Sequence, residues 1–147
     1  MFEQTLSSYA APPCADAHTL ELRAAIVEIV SDLVRMQLAH LPERLRAYSL
    51  ADEFALGYTL GLLVHLIGLI EPDAEDRALH VASAVAFERL HANLGGIHLR
   101  HALRRWGAGS VRFFAGLRAG VADGLDVRGS TPSTGKRLAA EFSLDRA

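Results

Sequence analysis

The sequence predicts an all-α fold, a compact bundle of about five helices with a flexible C-terminal tail. Apolar residues recur at helical spacing, prolines and glycines fall at intervals that end helices, and no stretch alternates as a strand does. Half of the 147 residues are hydrophobic and 22% are charged, which is the composition of a globular protein. We expect one helical domain over residues 1–127 and a tail over residues 128–147 that could form one short helix.

The first predicted helix covers about residues 17–40 and is amphipathic. Its expected core face consists of apolar residues three or four positions apart, namely Leu22, Ile26, Ile29, Leu33 and Met36. Glu28 and Asp32 lie on the opposite side, which we expect to face water. Pro42 ends this helix, because proline lacks the backbone N–H that a helix interior requires.

The second predicted helix begins after Ser49 and ends before Pro72. Ser49 is the expected N-cap, with Asp52 at the capping-box position three residues later. Residues 54–70 carry no formal charge, which raises the hypothesis of a membrane span. We favour a central helix buried by its neighbours, since the run is short and lacks flanking basic anchors. His65 within it is then interpreted as a neutral, hydrogen-bonded core histidine.

The third predicted helix is capped by Asp73 and runs to about Leu94. Gly95 and Gly96 follow, and we expect them to form the left-handed turn that commonly ends a helix. A fourth, shorter helix is predicted over residues 97–106.

The fifth predicted helix covers residues 111–125, with Ser110 as its N-cap. Three glycines interrupt it at spacings of four residues, and a similar pair occurs in the second helix. We predict that these glycines form close-contact faces packed against other helices, within one chain or between two. The two sets are Gly57 and Gly61, and Gly116, Gly120 and Gly124. In the tail, Leu138 and Phe142 stand one helical step apart.

Charge and cysteine content indicate which partners the chain could bind and where the protein is located. Residues 1–97 carry 6 basic and 13 acidic side chains, whereas residues 98–147 carry 9 and 4. This asymmetry could steer an anionic partner to the C-terminal third or let two copies associate head to tail. The single cysteine, Cys14, has no partner for an intramolecular disulfide, and we expect a cytoplasmic protein.

The sharpest enzymatic hypothesis is a metal site around the Gly95–Gly96 turn. Glu88 and His91 are three residues apart, as are His98 and His101, so each pair shares one helical face. If the turn folds these helices together, one carboxylate and several imidazoles could bind zinc or ferrous iron. Spacings of this kind also arise by chance. We therefore expect no cofactor and keep a divalent metal as the alternative.

A basic patch near the C-terminal end of the sequence could meet nucleic acid or a phosphorylated ligand. Its residues are Arg100, Arg104, Arg105, Arg112 and Arg118, with Trp106 among them. The helix–Gly–Gly–helix outline is a poor helix-turn-helix, because glycines and histidines replace the small apolar packing residues. A solvated basic face is the favoured interpretation, and nucleic acid is not the expected partner.

These observations favour a non-catalytic binding or regulatory module that acts through protein–protein interaction, as a homo-oligomer. The polar residues do not form an activated cluster in the sequence, which disfavours catalysis. Two alternatives stay open: a metal-dependent helical-bundle enzyme and a nucleic-acid-binding regulator. We expect an unidentified protein partner and no membrane.

Overall fold

The computed structural model describes residues 17–128 and 136–142, and within these ranges every regular element is helical. The all-α fold class is therefore confirmed. Six helices are followed by one short C-terminal helix, and a 3₁₀ turn, Ala92–Leu94, joins α4 to α5. The helices are α1 Ala17–Leu38, α2 Glu43–Leu50, α3 Glu53–Ile70, α4 Asp76–His91, α5 Gly95–Ala108, α6 Val111–Arg128 and α7 Arg137–Glu141.

Helix α3 is the centre of the fold, with α1, α4, α5 and α6 packed around it. Its side chains are buried on nearly every side, and Tyr58, Leu62 and Leu63 have no exposed surface. A helix surrounded in this way needs apolar residues all round, which explains its uncharged sequence. Asp52 caps it, because its carboxylate accepts a 2.9 Å hydrogen bond from the Phe54 backbone N–H.

Helix α3 is also long and apolar enough to cross a membrane. However, 67% of the helix is buried inside the protein, and the core helix of a soluble protein has the same length and composition. Length and composition are therefore weak evidence for a membrane span.

Helices α3 and α6 pack closely at the five predicted glycines, and at four of them the contact is with the backbone of the other helix. A Cβ atom on Gly57 or Gly61 would collide with the carbonyl oxygen of Phe113 or Leu117. In return, a Cβ on Gly116 or Gly120 would collide with the carbonyl oxygen of Phe54 or Tyr58, and one on Gly124 would lie 2.8 Å from His65 Cδ2. Both glycine faces therefore meet within one chain. Each interior glycine costs about 0.8–1 kcal/mol relative to alanine, which dispersion along this close seam offsets.

The predicted core face of α1 was wrong in part. Ile29 is 44% exposed and Met36 is 68% exposed. The helix carries more than one apolar stripe, and the one that packs on the core includes Val27, Val30 and Val34. Because apolar residues recur at helical spacing on both stripes, the spacing alone could not show which stripe faces the core.

The predicted start of the central helix was also wrong. Ser49 does not cap α3; it is a buried residue inside α2, a helix of eight residues that the sequence pattern did not predict. The cap is Asp52 itself. A helix this short presents only about two turns, too few for periodicity to reveal it.

Gly95 and Gly96 do not form a left-handed turn. Gly95 is right-handed helical and begins α5, whereas the positive φ of 53° lies at Ala92. Gly95 is needed for space, because a Cβ there would lie 2.7 Å from the Glu88 backbone nitrogen. The left-handed glycine that ends α5 is Gly109, with φ 70°.

Candidate functional site

An open groove of about 600 Å³ lies between α3, α4 and α5. Its walls are largely apolar and are formed by Leu60, Val64, Leu79, Leu99, Leu103 and Trp106. Four polar residues of α4 complete the lining, namely Asp76, Arg77, His80 and Ser83. The volume falls in the range of ligand pockets, and the mix of apolar walls with a few polar groups is typical of binding sites.

One wall of this groove is a continuous apolar face of α5. Leu99, Leu103 and Trp106 are four and three residues apart, so their side chains lie along one side of the helix. Leu103 and Trp106 remain partly exposed. The Trp106 ring is held by Phe113 and Phe114, whose ring centroids lie 6.0 and 6.3 Å away. The groove therefore has a large aromatic side chain that is fixed in place and accessible.

The predicted arginine patch divides into paired and unpaired residues. Arg105 Nε lies 2.9 Å from Glu53, and Arg112 lies 2.8 Å from Asp52, so these two cations tie α5 and α6 to the start of α3.

The remaining three arginines of the patch form no ion pair with a described acidic residue: Arg100, Arg104 and Arg118. Arg100 and Arg104 directly follow Leu99 and Leu103, about 100° further around α5, and neither of them lines the groove. The unpaired positive charge of α5 thus lies outside the groove lining.

The four residues of the predicted metal site do not come together as a set. Only His91 and His98 are in contact, with ring centroids 4.4 Å apart. His101 instead accepts a 3.2 Å hydrogen bond from Arg105 Nε. Among residues 17–128 and 136–142, no group of three or more histidine, cysteine or acidic side chains could hold a metal ion.

The His91–His98 pair is an electrically unusual contact at the closed end of the α4–α5 hairpin. Burial, and then the charge of His98, lower the pKa of His91 to about 4. Burial and the charge of His101 also lower the pKa of His98. His98 Nδ1 is buried without a hydrogen-bond partner among the described residues. Both imidazoles are therefore neutral near pH 7, and the His91 ring packs beside Phe87, with ring centroids 5.5 Å apart.

The interpretation of His65 as hydrogen-bonded was wrong for one ring nitrogen. Its Nε2 is buried and finds no partner in the described part of the chain. The imidazole edge instead fills the space left by Gly124. His65 therefore acts in packing at the end of the glycine seam.

A buried polar chain that sequence reasoning missed joins four helices. Gln37 Nε2 donates a 2.9 Å hydrogen bond to the Tyr58 hydroxyl, which donates a 2.5 Å hydrogen bond to Asp123. Asp123 has no exposed surface. Its only described cationic partner is Arg137 of α7, which binds it through the guanidinium and through the backbone N–H at 3.2 Å.

The environment of Asp123 keeps its carboxylate satisfied inside the protein. Three donor groups reach its two oxygens, and an ionised donor makes such hydrogen bonds stronger than neutral ones. Burial, and then the hydrogen bond to Asp123, raise the pKa of Tyr58, so its hydroxyl remains a donor. One feature of the sequence indicates this buried carboxylate. Asp123 lies three residues after Gly120, on the side of α6 that the glycines turn toward α3.

No family model matches the sequence, and comparisons with curated proteins and with solved structures give no match either.

Proposed function

We propose that this protein is a non-catalytic binding module that acts through protein–protein interaction. Its binding site is the groove between α3, α4 and α5, and its ligand is an amphipathic helix of a partner protein. The observation that supports this most is the α5 wall, where Leu103 and Trp106 stay accessible beside a groove of about 600 Å³. Tryptophan is among the residues that dominate the energy of protein interfaces.

The shape and chemistry of the groove favour a helix as ligand. Apolar residues from three helices form its walls, and an amphipathic helix buries its apolar stripe in such a surface through residues spaced three and four apart. The polar residues of the lining all come from α4, so one side of the groove can meet the polar edge of the ligand. The ligand therefore needs a narrow apolar stripe with one polar flank.

Charge around the groove favours an acidic flank. Arg77 and Asp76 are the two oppositely charged residues of its described lining, and α5 carries two further arginines outside the lining, Arg100 and Arg104. Opposite charges across an interface increase the association rate and reject wrong partners more than they raise affinity. We therefore propose a partner helix that carries aspartate or glutamate beside its apolar stripe.

A second copy of the chain is the competing occupant. The expected homo-oligomer stays a prediction, and the glycine faces no longer argue for it because they pack within one chain. The excess of acidic side chains in residues 1–97 still permits association of two copies.

The experiment uses Trp106, the only tryptophan of the chain, as an intrinsic reporter. The probe is a synthetic peptide with leucines at helical spacing and a glutamate flank, titrated while the tryptophan emission is recorded. Two control peptides have the same length: one is a scrambled sequence of the same composition, and the other carries lysine in place of glutamate. We expect saturable binding of the first peptide alone, with an association rate that falls as salt rises.

A pair of variants ties the binding to the groove. Leu103→Glu places a charge in the apolar wall and should abolish binding, whereas Val111→Glu changes a residue that is 82% exposed outside the groove and should not. Equal binding of the scrambled peptide, or binding that survives Leu103→Glu, would contradict the proposal. Light scattering that reports a dimer disrupted by Leu103→Glu would assign the groove to a second copy instead.

A further inference from the structure

The C-terminal helix α7 depends on its docking surface for its structure. It contains five residues, Arg137–Glu141, and helices shorter than about 12 residues are marginal in water without tertiary contacts. Its Lys136 N-cap makes no side-chain capping bond. The helix therefore exists because the surface formed by α1, α3 and α6 holds it.

That surface, here called the cradle, contacts the segment at four chemically different points. Asp123 and Asp126 of α6 bind the Arg137 guanidinium, and the buried Leu138 side chain packs into the main hydrophobic core. Gln37 Oε1 accepts a 3.0 Å hydrogen bond from the Ala139 backbone N–H.

The fourth contact lies at the end of the segment, where the Phe142 ring meets the edge of the Phe54 ring with centroids 6.4 Å apart. Arg112 also binds Glu141 at 2.9 Å. Together these contacts recognise a positive charge, an aliphatic side chain, a backbone N–H donor and an aromatic ring.

We propose that the cradle is a peptide-binding site and that residues 136–142 are its built-in occupant. Its ligand class is a short helical segment with an arginine, a leucine directly after it, and an aromatic residue four positions after the leucine. Such a segment of a partner protein displaces the chain's own copy. The terminal segment is thus an autoinhibitory contact, distinct from the groove between α3, α4 and α5.

The buried half of the cradle explains why a positively charged side chain is required at this position. Asp123 is fully buried, and withdrawal of Arg137 leaves its carboxylate with the Tyr58 hydroxyl alone among the described donors. An unpaired buried charge is strongly unfavourable, so an empty cradle is disfavoured and a second arginine-bearing segment is favoured in its place. One guanidinium nitrogen, Nη1 of Arg137, contacts both carboxylates, so a neutral residue would lose this contact, whereas a lysine would keep the positive charge.

Tethering decides how the two occupants compete. Because residues 136–142 belong to the same chain as the cradle, their binding is intramolecular, with an effective concentration in the millimolar range for a short linker, so an added peptide of equal affinity competes poorly. Weakening the built-in segment should therefore raise the apparent affinity for the same segment added in trans by about tenfold or more.

The test uses the full chain and a synthetic acetylated and amidated peptide of residues 136–142. The opened variant carries Arg137→Ala and Leu138→Ala, which change the occupant and leave every cradle residue intact. Binding is followed by NMR at the Gln37 side-chain amide and the Tyr58 backbone amide. We expect the opened variant to bind the peptide at least about tenfold more tightly than the unmodified chain does. A peptide with the same two alanines should bind neither protein.

Two outcomes would overturn the proposal. The first is an opened variant that keeps the dispersed NMR spectrum of the bundle but shows no shifts with millimolar peptide. The second concerns the unmodified chain, where native-state hydrogen exchange reports whether α7 opens alone. If the Ala139 amide exchanges only through global unfolding, as the amides of α3 do, the segment is an inseparable part of the core, and this holds even if the opened variant fails to fold.

Discussion

Tyr58 meets α6 twice, because its carbonyl oxygen lies against Gly120 and its hydroxyl donates a 2.5 Å hydrogen bond to Asp123 one turn further along. The first contact requires a residue without a Cβ atom, and the second requires a carboxylate on the same side of α6. The close approach of the two helices therefore brings the buried polar chain within hydrogen-bond distance. The close helix packing and the buried hydrogen bonds both lie at the interface between α3 and α6.

Tyr58→Phe should lower the free energy of unfolding by about 1–3 kcal/mol, because it removes two buried hydrogen bonds, the one that Asp123 accepts and the one that Gln37 donates. Urea denaturation at pH 7 measures this change. The matched control is Tyr48→Phe, at a tyrosine that is largely exposed on α2 and should stay within about 0.5 kcal/mol of the unmodified chain. Equal effects of the two substitutions would mean that the buried hydroxyl contributes nothing.

Gly120→Leu should destabilise the protein by about 1–3 kcal/mol or more, because even its Cβ collides with the Tyr58 carbonyl oxygen and forces α3 and α6 apart. Gly120→Ala should also destabilise the protein, by a smaller amount, although replacing a helical glycine by alanine usually stabilises a protein. The control is Gly68→Ala in α3, where a Cβ meets nothing within 4 Å and should add about 0.4–1 kcal/mol. Thermal or urea unfolding gives all three values, and an unchanged Gly120→Leu protein would contradict the seam.

Part of this fold could be predicted because some residues carry their own structural requirement. Glycines spaced four apart have no use in a solvated helix, so their spacing implied a close helix contact before any partner was known. The partner itself could not be predicted, since Asp123 and Arg137 meet only after the chain folds back. Ile29 shows the opposite limit. An apolar residue at a correct spacing stayed exposed because its helix offered the core a second stripe.

The histidines near the α4–α5 turn should not bind a structural metal. Only His91 and His98 are adjacent, and two ligands fall short of the four that structural zinc takes. Native mass spectrometry of protein purified without added metal should show the mass of the chain alone. Stoichiometric zinc or iron that disappears in His98→Ala would reverse this prediction and favour the enzymatic hypothesis.

Nucleic acid should bind weakly and without sequence preference. Arg105 and Arg112 are engaged by acidic residues of the chain, so the patch presents fewer free cations than the sequence suggests. Binding by counterion release fades steeply with salt, and we expect none near physiological ionic strength. Fluorescence anisotropy with a labelled duplex measures it. Submicromolar affinity that persists there and is lost on Arg100→Ala with Arg104→Ala would show a specific nucleic-acid site.

Acid should destabilise the protein through His91 and His98. The unfolded chain takes up a proton on each histidine below about pH 6.5, whereas burial lowers the pKa of His91 in the folded protein to about 4. Between these values the unfolded state binds more protons, so the free energy of unfolding falls as the pH falls from about 6.5 to about 4. The pKa of His98 is lowered in the same direction and adds to the effect.

Urea denaturation at a series of pH values from 7 to about 4 tests this window. His91→Leu removes the titrating group while keeping an apolar side chain beside Phe87, so the slope of stability against pH should become shallower. Asn93→Ala, in the exposed turn of the same hairpin, changes no titrating group and should keep the slope. NMR titration of the ring proton should place the His91 midpoint near 4. A midpoint near 6.5, with an unchanged slope in His91→Leu, would mean that the imidazole is solvated and that the pair does not resist protonation.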